Sequence, residues 1–94
     1  MSYRLRFHKL ALDEWQKFDG SLREPLKKKL AERLENPCVP SAALSGMTDC
    51  YKIKLRSAGY RLVYRVDAEI IFVTVITVGK REKGKIYEAA RSRL

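Results

Sequence analysis

The sequence has little of the material from which most enzyme active sites are built. It contains one histidine, His8, and no glycine-rich phosphate loop, paired carboxylates or serine–histidine arrangement. Its two cysteines, Cys38 and Cys50, are neither closely spaced nor joined by clustered histidines. This pattern argues against a zinc site and favours two free thiols in a cytoplasmic protein. We therefore predict no metal and no cofactor.

Long apolar runs and acidic residues are also scarce. No segment is long enough to cross a bilayer and no signal-peptide pattern is present, so we expect no membrane association. The 20 lysines and arginines outnumber the 11 acidic residues and leave a formal net charge of +9. Because net charge governs association rather than fold, this balance indicates a nucleic acid or an acidic protein as partner.

Five of the 20 basic residues, and no acidic one, lie in the segment CYKIKLRSAGYRLVYR. Apolar and basic residues alternate on both sides of a tight turn at SAGY, which predicts a hairpin with one apolar and one cationic face. The pairing that keeps the faces separate sets Lys54 opposite Val63. In the same register Lys52 faces Arg65, and Arg61 joins the cationic face. Like charges opposed across strands destabilise a sheet, so folding alone gives no reason for this face.

The whole chain, residues 1–94, predicts one small α+β domain. Two N-terminal helices are expected to cover one face of a four-stranded, mostly antiparallel sheet, leaving the cationic face open. The short C-terminal helix has little predicted packing and should be easily displaced. The predicted elements are a strand at Tyr3–Phe7, a helix from about Lys9 to Phe18, a helix from about Ser21 to Asn36, the two hairpin strands, a strand from Ile70 to Val78, and a helix from Ile86 to Leu94.

Local signals set the helix boundaries. Gly20 is predicted to end the first helix, and Ser21 with Glu24 forms a capping box that opens the second. Pro25 lacks a backbone donor just inside this helix, which leaves a start nearer Glu24 as the alternative. A leucine every four residues gives the second helix its buried stripe. The terminal helix is expected to carry Tyr87, Ala90 and Leu94. The leucines of the stripe are Leu22, Leu26, Leu30 and Leu34.

Cations and a phenol on an open face are sufficient for cleaving RNA, whose 2′-hydroxyl can attack the adjacent phosphate. Lys54 suits proton abstraction, because neighbouring cations lower a lysine pKa. Arg61 and Arg81 suit phosphate oxygens, and Tyr87 can stack on a base or pack at the sheet rim. Lys52 completes this candidate catalytic set. Further candidate RNA contacts are Lys27, Lys28, Lys29, Arg56, Arg65, Lys80 and Lys83.

The blocks GMTDCYKIKLRSAGYRLVYRV, VITVGKREKGKIYEAA and LKKKLAERLE closely resemble the RelE family of bacterial toxins, and the likeness covers essentially the whole chain. It implies a metal-independent endoribonuclease that cuts mRNA in the ribosomal A site. It also implies neutralisation by a RelB-type antitoxin, and operator DNA binding only through that complex. The implied partners are therefore the antitoxin, the 70S ribosome with its small-subunit rRNA, and mRNA.

The resemblance also assigns roles. It implies Lys54 as proton acceptor, Arg81 as donor or stabiliser at the leaving oxygen, Lys52 and Arg61 as phosphate clamps, and Tyr87 as the stacking residue. One departure is Ser45, where close relatives carry a basic residue before Gly46. Two alternatives stay open: a ParE-like toxin of the same fold that acts on DNA gyrase, and a non-catalytic module that binds RNA or DNA.

Overall fold

The computed structural model describes residues 2–55, 59–80 and 84–94. Its sheet has the order β1-β4-β3-β2, with β1 parallel to β4 and the other pairs antiparallel. The predicted α+β class and mostly antiparallel sheet are confirmed. In chain order, the elements are β1 (Arg4–Phe7), α1 (Lys9–Gln16), α2 (Gly20–Glu35), a 3-10 turn (Pro40–Ala42), β2 (Cys50–Leu55), β3 (Tyr60–Asp67), β4 (Phe72–Lys80) and α3 (Lys85–Arg93).

Helices α1 and α2 cover one face of the sheet, as predicted. Leu26 and Leu30 of α2 are buried there, and Leu22 and Leu34 pack against the same cluster while partly exposed. The four-residue spacing places the leucines along one side of the helix, so burying this side drives α2 onto the strands. The sheet contributes buried side chains from three strands: Ile53, Leu55, Leu62, Tyr64, Val66, Val73, Val75 and Val78.

The boundary between α1 and α2 differs from the prediction. Gly20 does not end α1; it is the first residue of α2, and α1 stops at Gln16. The N-cap is Asp19, whose carboxylate accepts hydrogen bonds from the Leu22 amide (3.2 Å) and the Ser21 hydroxyl (2.6 Å). Aspartate and serine are comparable N-caps. Because Ser21 lies inside α2 and bonds to the Asp19 carboxylate, the capping box predicted at Ser21 is wrong.

The hairpin pairs two residues away from the predicted register. Lys54 faces Arg61 rather than Val63, and Lys52 faces Val63 rather than Arg65. A shift of two residues leaves every side chain on its predicted face, because strand side chains alternate with a period of two. Residues 56–59 therefore separate the paired ends, Leu55 and Tyr60, and residues 56–58 lie outside the described residues.

Strand β4 is interior, as predicted, but it starts two residues later. Ile70 and Ile71 belong to the turn, and Ile71 has a left-handed backbone (φ 59°), a strained conformation for a β-branched residue. The β3–β4 register shifts between Val63 and Tyr64, which leaves Ile76 as an extra residue in β4. This bulge turns Ile76 toward the face opposite α1 and α2, where it packs with Val63.

The second face of the sheet is not wholly open, contrary to the prediction. Helix α3 packs on it, with Ala90 against a buried cluster that includes Val63 and Ile76. Ile86 is also buried, whereas Leu94 is 48% exposed and lies off the packed side. The bulge places Ile76 on this face, where α3 packs against it. The hairpin sequence does not reveal this contact. Displacement of α3 stays a prediction.

Polar contacts hold α3 against the part of β4 that follows Val75, the last β4 residue paired with β1. Arg93 of α3 forms a two-pronged ion pair with Glu14 of α1 (2.8 and 3.0 Å) and also donates to the Ile76 carbonyl. Glu14 in turn accepts from the Val78 amide and the Thr77 hydroxyl. Glu14 and Arg93 thus form the hydrogen bonds that a neighbouring strand would otherwise form with the Val78 amide and the Ile76 carbonyl. No helix among the described residues combines the length and apolarity needed to span a membrane.

Candidate active site

Four of the five predicted catalytic residues line one groove of about 550 Å³. Lys52 and Lys54 come from β2, Arg61 from β3 and Tyr87 from α3. Lys54 and Arg61 are direct cross-strand partners, and Lys52 lies two residues along the same face. The remaining lining residues are Leu44, Ser45, Met47, Gly84, Glu88 and Arg91. Arg81 lies outside the described residues, in the segment that precedes Gly84.

Arg61 is the most enclosed cation of the groove, with 8% of its surface exposed. Its Nη1 donates to the Tyr60 carbonyl at 3.1 Å, while its buried Nε has no partner among the described residues. A buried guanidinium with an unused donor is costly to the fold. The same group is a rigid, charged donor that can bind a phosphate oxygen without further ordering.

Lys52 and Lys54 stand on the edge strand of the sheet and are each partly exposed. The main chain of that strand is held from behind, since Arg33 of α2 donates to the Lys52 carbonyl at 3.1 Å. Arg33 also donates to the Tyr64 hydroxyl (2.9 Å), which itself donates to the Pro37 carbonyl (2.7 Å). Burial raises the pKa of Tyr64. Arg33 therefore links the main chain of β2 to α2, and the neutral Tyr64 phenol holds Arg33 in place.

Helix α3 forms the opposite wall of the groove. Gly84, the left-handed N-cap (φ 79°), lets the chain turn into the helix, and its carbonyl accepts from the Tyr87 and Glu88 amides. Tyr87 is half-buried against the apolar cluster, so its ring is positioned and still reachable. Any base stacked on Tyr87 would lie beside the lysines of β2.

Sequence reasoning missed two charged residues of the groove, Glu88 and Arg91. Both are exposed and lie on the same wall as Tyr87. The signal was present, because Tyr87 and Arg91 are four residues apart and such residues share one side of a helix. The prediction instead placed Leu94 on that side. The Glu88 carboxylate lies among the cations of the groove and lowers the net positive charge there.

The predicted RNA contacts are only partly brought together. Lys29 lines a second groove of about 410 Å³, between α2 and β2, that also contains Lys52 and Lys54. Lys27 and Lys28 instead lie with Pro25 and Ala31 on another side of α2. Arg65 is on the face of β3 that bears the groove, opposite Cys50, and Lys80 is exposed at the end of β4. Arg56 and Lys83 lie outside the described residues.

Comparisons with known proteins show which family the chain belongs to. The family model for the ParE toxin of type II toxin–antitoxin systems matches residues 5–84. The mRNA interferase toxin RelE of Escherichia coli is 54% identical over 94 residues, which covers 100% of this chain and 99% of that protein. The chain belongs to the RelE-type toxins of this family.

Solved structures of RelE extend the similarity to three dimensions. A doubly substituted variant of E. coli RelE in the free state matches with a TM-score of 0.92 and 53% identity, covering 100% of this chain and 99% of that one. RelE in the intact E. coli RelBE toxin–antitoxin complex matches with a TM-score of 0.84 and 56% identity, covering 87% of this chain and 100% of that one. The chain therefore has the RelE-type fold over its whole length.

Proposed function

We propose that this RelE-type toxin is an endoribonuclease that cuts mRNA in the ribosomal A site and so inhibits translation. The observation that carries the proposal is the convergence of Lys52, Lys54, Arg61 and Tyr87 in one groove. The similarity of the whole chain to a protein named mRNA interferase supports the same activity. The side chains of the groove match the needs of RNA, since they supply positive charge, phosphate ligands and an aromatic ring.

In the proposed reaction the RNA supplies its own nucleophile and no metal takes part. Lys54 accepts the proton of the 2′-hydroxyl from its position opposite Arg61 and two residues from Lys52 on the same face. The hydroxyl oxygen attacks the adjacent phosphate, giving a 2′,3′-cyclic phosphate and a 5′-hydroxyl leaving group. Lys52 and the enclosed Arg61 offset the charge on the phosphorane, and Arg81 stabilises or protonates the leaving oxygen. Tyr87 stacks on a base and holds the nucleotide in line.

The ribosome and the antitoxin are the proposed partners. The groove lacks a conventional acid–base pair among the described residues, so an ordered message on the 70S ribosome and its small-subunit rRNA supplies the geometry that free RNA lacks. A RelB-type antitoxin neutralises the toxin, as the RelBE complex of E. coli suggests. Operator DNA is bound through the antitoxin complex, and the toxin acts in the cytoplasm.

A gyrase-directed activity is the second candidate, because the matching family model is named for ParE toxins. The full-length relative at 54% identity is named for mRNA cleavage. The lysine–arginine–tyrosine groove serves phosphate chemistry, and inhibiting gyrase does not require it. We therefore favour the nuclease.

The two activities separate in a cleavage assay. Purified toxin is incubated with the same message either free or bound to programmed 70S ribosomes, and primer extension maps the cut sites. We expect nearly intact free message and cuts within the A-site codon on ribosomes. Intact message in both arms, together with inhibition of purified gyrase, would instead assign the gyrase-directed activity.

A further inference from the structure

Three arginines form a second cationic surface on the face that bears the groove. Arg4 and Arg6 point from β1 to this face, and Arg65 of β3 reaches it from the other side of β4. Arg6 and Arg65 each pair with Thr74, so one threonine of β4 stands between the two guanidiniums. We call Arg4, Arg6 and Arg65 the arginine patch.

The patch is ordered by contacts with β4. The Arg6 and Arg4 guanidinium carbons lie 4.5 and 5.7 Å from the centre of the Phe72 ring. The Arg6 Nε also donates to the Thr74 hydroxyl at 2.8 Å. Stacking on the ring leaves the outer nitrogens of these planar groups available, which suits oxyanions with paired oxygens. Arg4 and Arg6 are exposed and Arg65 is partly exposed.

The three arginines form no ion pair within the described part of the chain. Asp67 pairs with Phe72 at the end of the patch, yet no described carboxylate is within ion-pair distance of the three arginines. Two guanidiniums gathered on one ring repel each other, so folding alone does not favour the arrangement. A polyanion bound across the patch would remove that repulsion.

We infer that the arginine patch binds the sugar-phosphate backbone of ribosomal RNA, as a docking site separate from the cleavage groove. This inference rests on the proposed action on ribosomes. Arg65 and Arg61 are four residues apart on β3, about 13 Å along the strand. Val63 between them is fully buried in the cluster that contains Ala90 of α3. Helix α3 thus covers the strand between the two arginines, so a single message strand in the groove does not continue onto the patch.

Binding to vacant 70S ribosomes tests the docking site without any message. The variant Arg4→Gln/Arg6→Gln removes two charges, and Lys9→Gln/Lys17→Gln removes two from exposed positions at the ends of α1. We expect the arginine variant to bind roughly 10- to 100-fold more weakly and to lower the slope of log affinity against log salt by about 2, one for each lost phosphate contact. The lysine control should keep wild-type affinity and slope. Thermal unfolding of both variants checks the fold, and Arg65→Gln, on a different strand, tests the patch independently.

Cleavage kinetics distinguish docking from chemistry. On programmed ribosomes the arginine variant should need more toxin for half-maximal cleavage while reaching the wild-type rate at saturation. Unchanged affinity and salt slope in both patch variants would overturn the inference. So would unchanged ribosome binding with weakened antitoxin binding, which would make the patch a protein-docking surface. If the wild type binds vacant ribosomes through the patch yet never cuts message, the proposed nuclease fails and the docking site stands.

Discussion

The substitution Glu14→Gln should loosen α3 and lower the stability of the toxin. The Glu14 carboxylate holds both nitrogens of Arg93 and accepts from the Val78 amide and the Thr77 hydroxyl. A glutamine keeps one acceptor oxygen but presents an amide group to Arg93. The Arg93 and Glu14 side chains are 13% and 30% exposed, so solvent screens the pair only partly. Hydrogen bonds to charged groups contribute about 1.5–3 kcal/mol and exposed ion pairs about 0–1.

We therefore expect Glu14→Gln to cost about 1–2 kcal/mol. For a domain of this size that corresponds to a fall in Tm of roughly 4–16 °C. Denaturant and thermal unfolding measure the loss, and amide hydrogen exchange should quicken most in residues 85–93. Glu35→Gln is the matched control, because it removes one exposed carboxylate from the end of α2 and should leave stability nearly unchanged.

The stability that Glu14 contributes depends on pH. Burial acts to raise the pKa of Glu14, but hydrogen bonds from Arg93, Val78 and Thr77 and the Arg93 charge outweigh burial and lower it. A carboxyl whose folded pKa is lowered stabilises the fold above its ordinary pKa, about 4.3. That stability is lost as pH falls through the folded pKa. The difference between wild type and Glu14→Gln should thus be full at pH 7 and shrink below about pH 4. An equal difference at pH 7 and pH 3, or no difference at pH 7, would refute this account of the ion pair.

Substitutions at three further residues separate function from stability. Arg61→Met should slow cleavage on ribosomes at least ~100-fold with unchanged or higher Tm, because it removes a buried charge whose Nε is unpaired; a matching loss of Tm would make Arg61 structural. Tyr87→Phe should cleave within a few-fold of wild type while Tyr87→Ala loses roughly 10- to 100-fold, since stacking contributes ~1–3 kcal/mol per base; equal rates would exclude stacking. Tyr64→Phe should cost about 1–3 kcal/mol in denaturant unfolding, because it leaves the Pro37 carbonyl without its buried donor; wild-type stability would show that water replaces the phenol.

The sequence predicted the architecture well because its signals are local and periodic. The leucine spacing of α2 and the alternation of the hairpin each define a side that must be buried, and these two patterns fix the layer order. The cationic face was predictable because side chains alternate between the two faces of a strand, whatever even-numbered shift the register takes. That is why Lys52, Lys54 and Arg61 were placed correctly even though the register was two residues off.

The details that were missed depend on contacts between distant residues. The hairpin register is set by turn geometry, and the Ile76 bulge is defined only against β3. Glu14 has its role because α1, β4 and α3 meet at one edge of the sheet. Glu14 and Arg93 are 79 positions apart in the sequence, so no local pattern links them. The observed N-cap, Asp19, lies two residues before the predicted Ser21, and local sequence does not choose between them because aspartate and serine cap helices about equally well. Likewise, Arg4 and Arg6 become a patch only when β1 pairs with β4 beside Phe72.

The most direct test of the central claim is single-turnover cleavage of message on programmed ribosomes by wild type and Lys54→Ala, with analysis of the product ends. The account predicts a 2′,3′-cyclic phosphate and a 5′-hydroxyl for the wild type. For Lys54→Ala it predicts a rate lower by ~10²–10⁴-fold, with unchanged ribosome binding and Tm. Cleavage by Lys54→Ala at the wild-type rate, or 5′-phosphate ends from the wild type, would contradict it.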